Sequence, residues 1–519
     1  MTEKPGSMQG ASKPRLTADR IALIISLLAV VASYLIASSI FENLPHLEDE
    51  FAYVWQAEAL AAGKLSVDSP DLPRHFLVPF VVDYNGQRFG KYPLGWPALL
   101  GLGEFLGIRS WINPLLAGLG VWLTYRLGKK VMGDTAGLLA AFLTATSPFF
   151  LLNSGSLLSH PMGLVLSASF ALGWLNAFSA SDTHDLNRTP LILSALSLGA
   201  LILTRPLTAV AVALPFAVHG LYLLIRGSRE VRLGLLGFGI ATVLVGSLHF
   251  AWQYAATGDP FQNLYTLWWE YDRVGFGPGF GRYGHTLALA RLNTEFSLWV
   301  GWRDLFGWAA YSWIFLPFGI YAARRNGRLL LLGSVFLSLV LVYLAYWVGS
   351  WLFGPRYYYE GLYSLTLLSA AGIAFLAGWP VHPDEKKAVR QDRAKIRPLL
   401  VTALVAFLVA GNLLFYSPYR LESMRNLYGI SAHRLEVFDR PEVRALAPAL
   451  IVVHADHWTE YGNLISLENA LLDTPFVFVI SRGTAEDAKL ANAYPDRTIY
   501  HYDPDRPYEF VKFPNSGDS

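Results

Sequence analysis

IALIISLLAVVASYLIASSI, residues 21–40, runs directly into FENLPHLEDEFAYVWQAEAL, residues 41–60. The first block carries no charge over roughly 20 residues, the length that crosses a bilayer. Lys4, Lys13, Arg15 and Arg20 precede it, an arrangement shared with signal peptides. The apolar run is nevertheless long enough to be an uncleaved first span. In the second block Glu48, Asp49 and Glu50 head a segment, 48–60, that reads as a short amphipathic helix lying on the membrane surface. Carboxylates held at such a height suit chemistry on a lipid head group. They equally suit the ordinary stabilisation of a helix N-terminus by negative charge.

The rest of the chain has the composition of a membrane protein. Of its 519 residues 53% are hydrophobic and 15% charged, and the mean hydropathy is +0.35. Soluble chains carry nearer ~25% charge. Aromatics at 14% fit interfacial belts of Trp and Tyr. No basic run interleaves with aromatics, which argues against nucleic acid as a partner. The absence of cysteine excludes disulfides, thiol catalysis and zinc–thiolate sites.

Basic clusters recur at Arg126/Lys129/Lys130, Arg226/Arg229/Arg232, Arg324/Arg325/Arg328 and Lys386 through Arg397. Placing them and the N-terminus in the cytoplasm orients the chain. It predicts a polytopic α-helical protein with about eleven spans. These are 21–40, 111–128, 135–152, 161–179, 190–204, 207–225, 233–256, 308–323, 329–349, 361–379 and 398–416; residues 94–107 read as re-entrant or as part of a broken helix. The expected organisation is a cytoplasmic tail (1–20), a membrane-embedded catalytic domain (21–416) with outer loops 41–93 and 257–300, and an extracytoplasmic domain (417–519). Buried-strand runs 449–453 and 475–480, a helical stretch between them, and a strand at 498–502 make that last segment α/β.

Charges gather at the outer ends of spans. Asn85-Gly86 between strand-like flanks predicts a hairpin leading into Gly90-Lys91-Tyr92-Pro93. Lys91, where the chain re-enters the membrane, can meet a phosphate or simply snorkel to the interface. His160, Arg205 and Arg356 each stand where apolar sequence resumes, which is costly without a partner. An arginine can engage two phosphate oxygens at once, or serve as an interface anchor. The loop 257–300 carries Trp268-Trp269-Glu270-Tyr271-Asp272-Arg273, suited to sugar stacking or to interfacial anchoring. Its glycines follow no strand and open no helix, so no nucleotide site is read there. His454-Ala455-Asp456-His457 imitates a metal pair.

With these residues assembled, the chain resembles the GT-C superfamily of polyprenyl-phosphate-sugar-dependent glycosyltransferases. It is most similar to the family-39-like branch, which includes protein O-mannosyltransferases and the aminoarabinose transferase of lipid A. The resemblance covers roughly residues 20–380. It rests on the acidic pair followed by Tyr53 and a helix ending at Gly63, on Gly90-Lys91-Tyr92-Pro93, and on Gly354-Pro355-Arg356-Tyr357-Tyr358. It implies that Asp49, with Glu50 beside it, is the catalytic carboxylate and that Lys91 contacts the lipid phosphate. Tyr53, Tyr92, His160, Arg205, Asp272, Arg356 and Tyr357 complete the expected substrate-binding set. The sequence departs from the family where an aspartate commonly begins the fourth span, since His160 stands there.

The resemblance implies direct displacement at an anomeric carbon, with Asp49 as general base on an acceptor hydroxyl. Lys91, Arg205 and Arg356 would stabilise the departing phosphate. The implied partners are a polyprenyl-phosphate-sugar donor, an extracytoplasmic acceptor and the bilayer. No cofactor is implied, and a divalent metal is optional. The competing reading is a transporter or flippase of a lipid-linked saccharide, which would place polar residues along a path through the membrane.

Overall fold

The computed structural model describes residues 17–178, 186–382 and 396–513. The basic residues Lys4, Lys13 and Arg15, and the cluster from Lys386 to residue 395, lie outside the described residues. The first helix, Ala18–Ser39, begins at an N-cap Thr17 whose side chain accepts from the Arg20 amide. Its buried face is mostly small: Ala22, Ser26, Ala29, Ser33 and Ala37. Leu27, Leu28, Val31 and Leu35 point outward and are exposed. Small residues inside and large apolar residues outside is the pattern of a helix packed within lipid.

Among the described residues five helices are long and apolar enough to cross a membrane: Ala18–Ser39, Pro206–Arg226, Arg229–Thr257, Arg356–Ala377 and Ile396–Glu422. The number rises to seven if two bent pairs each count as one span. The helices Arg109–Met132, His160–Ala177, Arg188–Thr204 and Gly327–Tyr343 overlie four more of the eleven expected spans without meeting that length and hydropathy. The span read at 135–152 breaks by 58° between Asp134–Ala145 and Pro148–Gly155, because Ser147 caps a new helix with Pro148 at its first position. The outer loop read as 257–300 ends early. Thr286 caps a helix, Leu287–Asp304, that turns through 107° into Ala309–Ala323. Arg291, Asn293 and Glu295 interrupt its apolar residues and hide it from a hydropathy reading.

The acidic segment forms the helix Glu48–Ala61, but it does not lie on lipid. Residues 50–57 are all buried. It packs against the helix Gly95–Phe105 and the second strand of the hairpin. The hairpin pairs β2 (Val81–Tyr84) with β3 (Gln87–Gly90), and β1 (Val67–Asp68) adds on the far side of β3. Asn85 and Gly86 both have positive φ, 52° and 76°, as a two-residue turn of this hand requires.

The C-terminal segment builds a four-stranded sheet of order β5-β4-β6-β7, from β4 (Ala449–Val453), β5 (Phe476–Ile480), β6 (Thr498–Tyr502) and β7 (Phe510–Lys512). The first three strands are parallel, and β4 and β5 coincide with the apolar runs of the sequence; β7 is antiparallel to β6. This sheet segment sits on the loop that follows the first helix. His75 Nε2 meets Asp487 at 3.2 Å, Tyr494 donates to Asp71 O at 2.8 Å, and the Ala470 amide donates to Glu58 at 3.2 Å. Phe51 meets Trp458 edge-on at 5.9 Å.

Candidate active site

Below the first loop lies a cavity of about 440 Å³. Asp49 and Tyr53 face it from the helix Glu48–Ala61, and Lys91 and Tyr92 enter where β3 ends. His160 and Arg205 reach it from helix ends, Asp272 from the second loop, and Arg356 and Tyr357 from the turn before the helix Leu362–Ala377. These nine residues of the expected set share one cavity.

Glu50 does not. Its Oε2 accepts from the amides of His46 at 2.7 Å and Leu47 at 3.0 Å, and its Oε1 from the amide of Leu157 at 2.7 Å. With both oxygens so engaged it ties the helix start to the segment before His160. The two acidic neighbours part because consecutive helical residues point about 100° apart.

Three ion pairs organise the cavity. Arg356 Nη2 lies 3.0 Å from Asp49 Oδ2, and the Tyr92 hydroxyl donates to Asp49 Oδ1. Burial, reinforced by the charge of Asp49, holds the Tyr92 hydroxyl well above the usual phenol range, so it remains a donor. Lys91 Nζ lies 3.0 Å from Asp272 Oδ2, and the lysine is only 3% exposed. Its ammonium sits 3.6 Å from the Phe80 ring centre and 5.0 Å from that of Trp269, an aromatic enclosure favourable to a cation. Burial lowers the Lys91 pKa, opposed by Asp272 and Asp49. Asp272 Oδ1 is taken by Tyr346 and Trp347, each at 3.1 Å.

The third pair joins Arg205 Nε to Glu360 Oε1 at 3.0 Å, and His160 Nδ1 meets the same oxygen at 3.2 Å. Arg205 also donates to Ser159 at 3.0 Å. A Cβ on Gly163 would come within 2.7 Å of Glu360 Oε1, so only glycine leaves room for that carboxylate. His160 thus has an acid beside it in space, contributed by a different helix end. Glu360 was not singled out in the sequence. The signal was present: a carboxylate four residues after Arg356, entering an apolar span, needs a cation.

Tyr265, Tyr343, Tyr346, His249 and Gln253 also line the cavity without having been read from the sequence. Arg356 Nη1 is buried and has no hydrogen-bond partner among the described residues. No three His, Cys, Asp or Glu side chains among the described residues converge to hold a metal. His457 instead caps a helix, accepting from the Thr459 amide at 3.3 Å.

No protein-family model matches this chain, and no curated protein matches it in sequence. Its fold does match solved structures. ArnT from Cupriavidus metallidurans bound to undecaprenyl phosphate superposes with a TM-score of 0.58 over 94% of this chain and 90% of that one, at 13% identity. The oligosaccharyltransferase AglB from Archaeoglobus fulgidus, in complex with an inhibitory peptide and a dolichol-phosphate, gives 0.53 over 88% of this chain at 14% identity. The arabinofuranosyltransferase AftD from Mycobacteria gives 0.50 over 90% at 16% identity. The chain spans 64% of AglB and 32% of AftD. At this identity the likeness defines the architecture alone, a fold shared with these three structures.

Proposed function

We propose that this protein transfers a sugar from a polyprenyl-phosphate donor to a hydroxyl of an extracytoplasmic acceptor. The observation that carries this reading is the convergence of Asp49 with Lys91, Arg205 and Arg356 on one cavity. It is supported by a fold shared with a structure bound to undecaprenyl phosphate. A transporter would call for a polar path through the membrane; the charges here meet at one cavity instead.

Asp49 takes the proton of the acceptor hydroxyl as its oxygen bonds to the anomeric carbon. The bond from that carbon to the phosphate oxygen breaks, and the electron pair leaves with the polyprenyl phosphate. One displacement inverts the anomeric configuration. Arg356, whose Nη1 has no hydrogen-bond partner among the described residues, and Lys91 meet the charge growing on the leaving phosphate. Arg356 is paired with Asp49 at 3.0 Å, so a phosphate that draws the arginine away also uncovers the base. Loading of the donor and readiness of the base are then one event.

The test is incubation of purified protein with a panel of polyprenyl-phosphate sugars and candidate acceptors, following release of polyprenyl phosphate. Acceptor-dependent release supports the reading. Binding of these lipids with no release under any acceptor, together with their movement across vesicle membranes, would favour transport.

A further inference from the structure

A donor of this kind presents a lipid tail, a phosphate and a sugar, and the ion pairs account only for the phosphate. We infer that the donor sugar is an uncharged polyol whose hydroxyls are read by Gln253 and His249, an inference resting on the donor assignment above. Both residues lie on the helix Leu248–Thr257, four positions apart and so on one face, and both line the cavity. Between them Trp252 donates to the Tyr92 carbonyl at 3.2 Å and meets Phe89 edge-on at 5.9 Å. That fixes this helix against the stretch carrying Lys91.

Gln253 is 7% exposed, yet its Oε1 has no hydrogen-bond partner among the described residues, and neither has His249 Nδ1. Leaving such groups buried and unpaired is costly. Two of them side by side on the wall of one cavity point to a ligand that completes them. A carboxamide offers donors and an acceptor, and an uncharged imidazole one of each. Together they match neighbouring hydroxyls, each of which both donates and accepts. Tyr265 adds an aromatic face on the same cavity for the C–H surface of a sugar ring.

The charged groups argue for a neutral sugar. The ammonium of an amino sugar needs a carboxylate with an open oxygen. Asp272 has Lys91 on one oxygen and Tyr346 and Trp347 on the other; Asp49 keeps Tyr92 on one oxygen, and the oxygen that Arg356 gives up to the phosphate is taken by the acceptor hydroxyl. A uronic acid would need a cation beyond Lys91, Arg205 and Arg356, which face the phosphate and are already matched by carboxylates.

The experiment measures affinity of the full chain in nanodiscs for three probes. These are bare polyprenyl phosphate, a polyprenyl-phosphate neutral hexose, and polyprenyl-phosphate 4-amino-4-deoxyarabinose. Wild type is expected to bind the neutral-sugar lipid at least tenfold more tightly than bare lipid, and the amino-sugar lipid no better than bare. Gln253→Leu and His249→Phe should each lose about tenfold on the neutral-sugar lipid, the worth of one hydrogen bond at ~1.4 kcal/mol, with bare-lipid binding retained as the sign of an intact fold. Gln253→Glu should shift preference toward the amino sugar. Tighter binding of the amino-sugar lipid by wild type, or unchanged discrimination in all three variants, would overturn the inference alone. Failure of wild type to bind bare polyprenyl phosphate would remove the donor assignment itself.

Discussion

Arg356 grips Asp49 at 3.0 Å from the far side of the cavity, while Tyr92 holds the other oxygen of the same carboxylate. The proposed base is therefore oriented before any substrate arrives, and its orienting cation is one of the groups that would meet the donor phosphate.

Asp49→Asn keeps the shape and the hydrogen bond from Tyr92 but cannot accept a proton. Turnover should fall by ~10²–10⁴-fold with folding and membrane insertion preserved. Glu50→Gln should behave oppositely: it replaces an acceptor oxygen with a donor facing backbone amides, so thermal stability should fall while turnover of the folded protein stays within a few-fold. Parallel assays of turnover and melting temperature on both variants decide between the two carboxylates. A larger catalytic loss at Glu50 would move the base one residue along.

Arg356→Lys retains charge but loses the planar fork that can engage two phosphate oxygens at once. Donor affinity should drop about tenfold or more, and Lys91→Ala should weaken it as well. Equilibrium binding of polyprenyl phosphate measures both; wild-type affinity in the two variants would remove the phosphate assignment.

The Arg205–Glu360 pair allows a structural role to be separated from a binding one. Glu360→Leu leaves the half-buried Arg205 without its carboxylate and should destabilise, by less than the about 3–5 kcal/mol of a fully buried broken pair. Adding Arg205→Met should restore most of that stability, because both charges are then gone. If Arg205 also meets the phosphate, the double variant will melt near the wild-type temperature and still bind donor weakly. Recovery of both properties would assign Arg205 to structure alone.

The contact between the first loop and the sheet segment should respond to pH. Burial pushes Glu58 up to about 7 and Glu468 up to about 8. Between the ordinary carboxylate range and pH 8 the folded protein holds protons that the unfolded chain has released. Stability is thus greatest in acid, falls as pH rises through this window, and levels off above it. Hydrogen exchange in β4 and the helix Glu48–Ala61 should show less protection at pH 9 than at pH 5. Glu468→Gln should flatten that difference, and protection that grows with pH would contradict the account.

Reporter fusions after Lys130 and Ser519 should give cytoplasmic and external signals respectively, as the alternation of basic loops requires. A cytoplasmic signal at Ser519 would invert the orientation.

The cavity residues were legible in the sequence to the extent that they broke a pattern. Asp49, Lys91, Arg205 and Arg356 are charges set against apolar runs, and each lies where that break placed it, at the cavity. What could not be read was the pairing, because Lys91 and Asp272 are 181 residues apart and nothing local joins them. Gln253 and His249 were passed over inside the run 233–256, although polar residues within an apolar span carry the same signal as the charges at its ends. The helix at residue 48 was found, but its setting was misread. Its hydrophobic face was matched to lipid, whereas the helix Gly95–Phe105 and β3 pack on it, joined by Trp458 from far along the chain.

The order in which the cavity groups occur along the chain has a consequence for biogenesis. Asp49 belongs to the first loop to be delivered during synthesis, Asp272 and Arg356 follow much later, and Trp458 and Ala470, which meet the helix Glu48–Ala61 at Phe51 and Glu58, come later still. The nascent loop must wait, with Glu58 and Glu468 not yet brought together, until nearly the whole chain has been threaded. Activity is then a property of the finished chain, and two co-expressed fragments divided at an exposed position before Asp272 should be silent apart and active only when they reassemble.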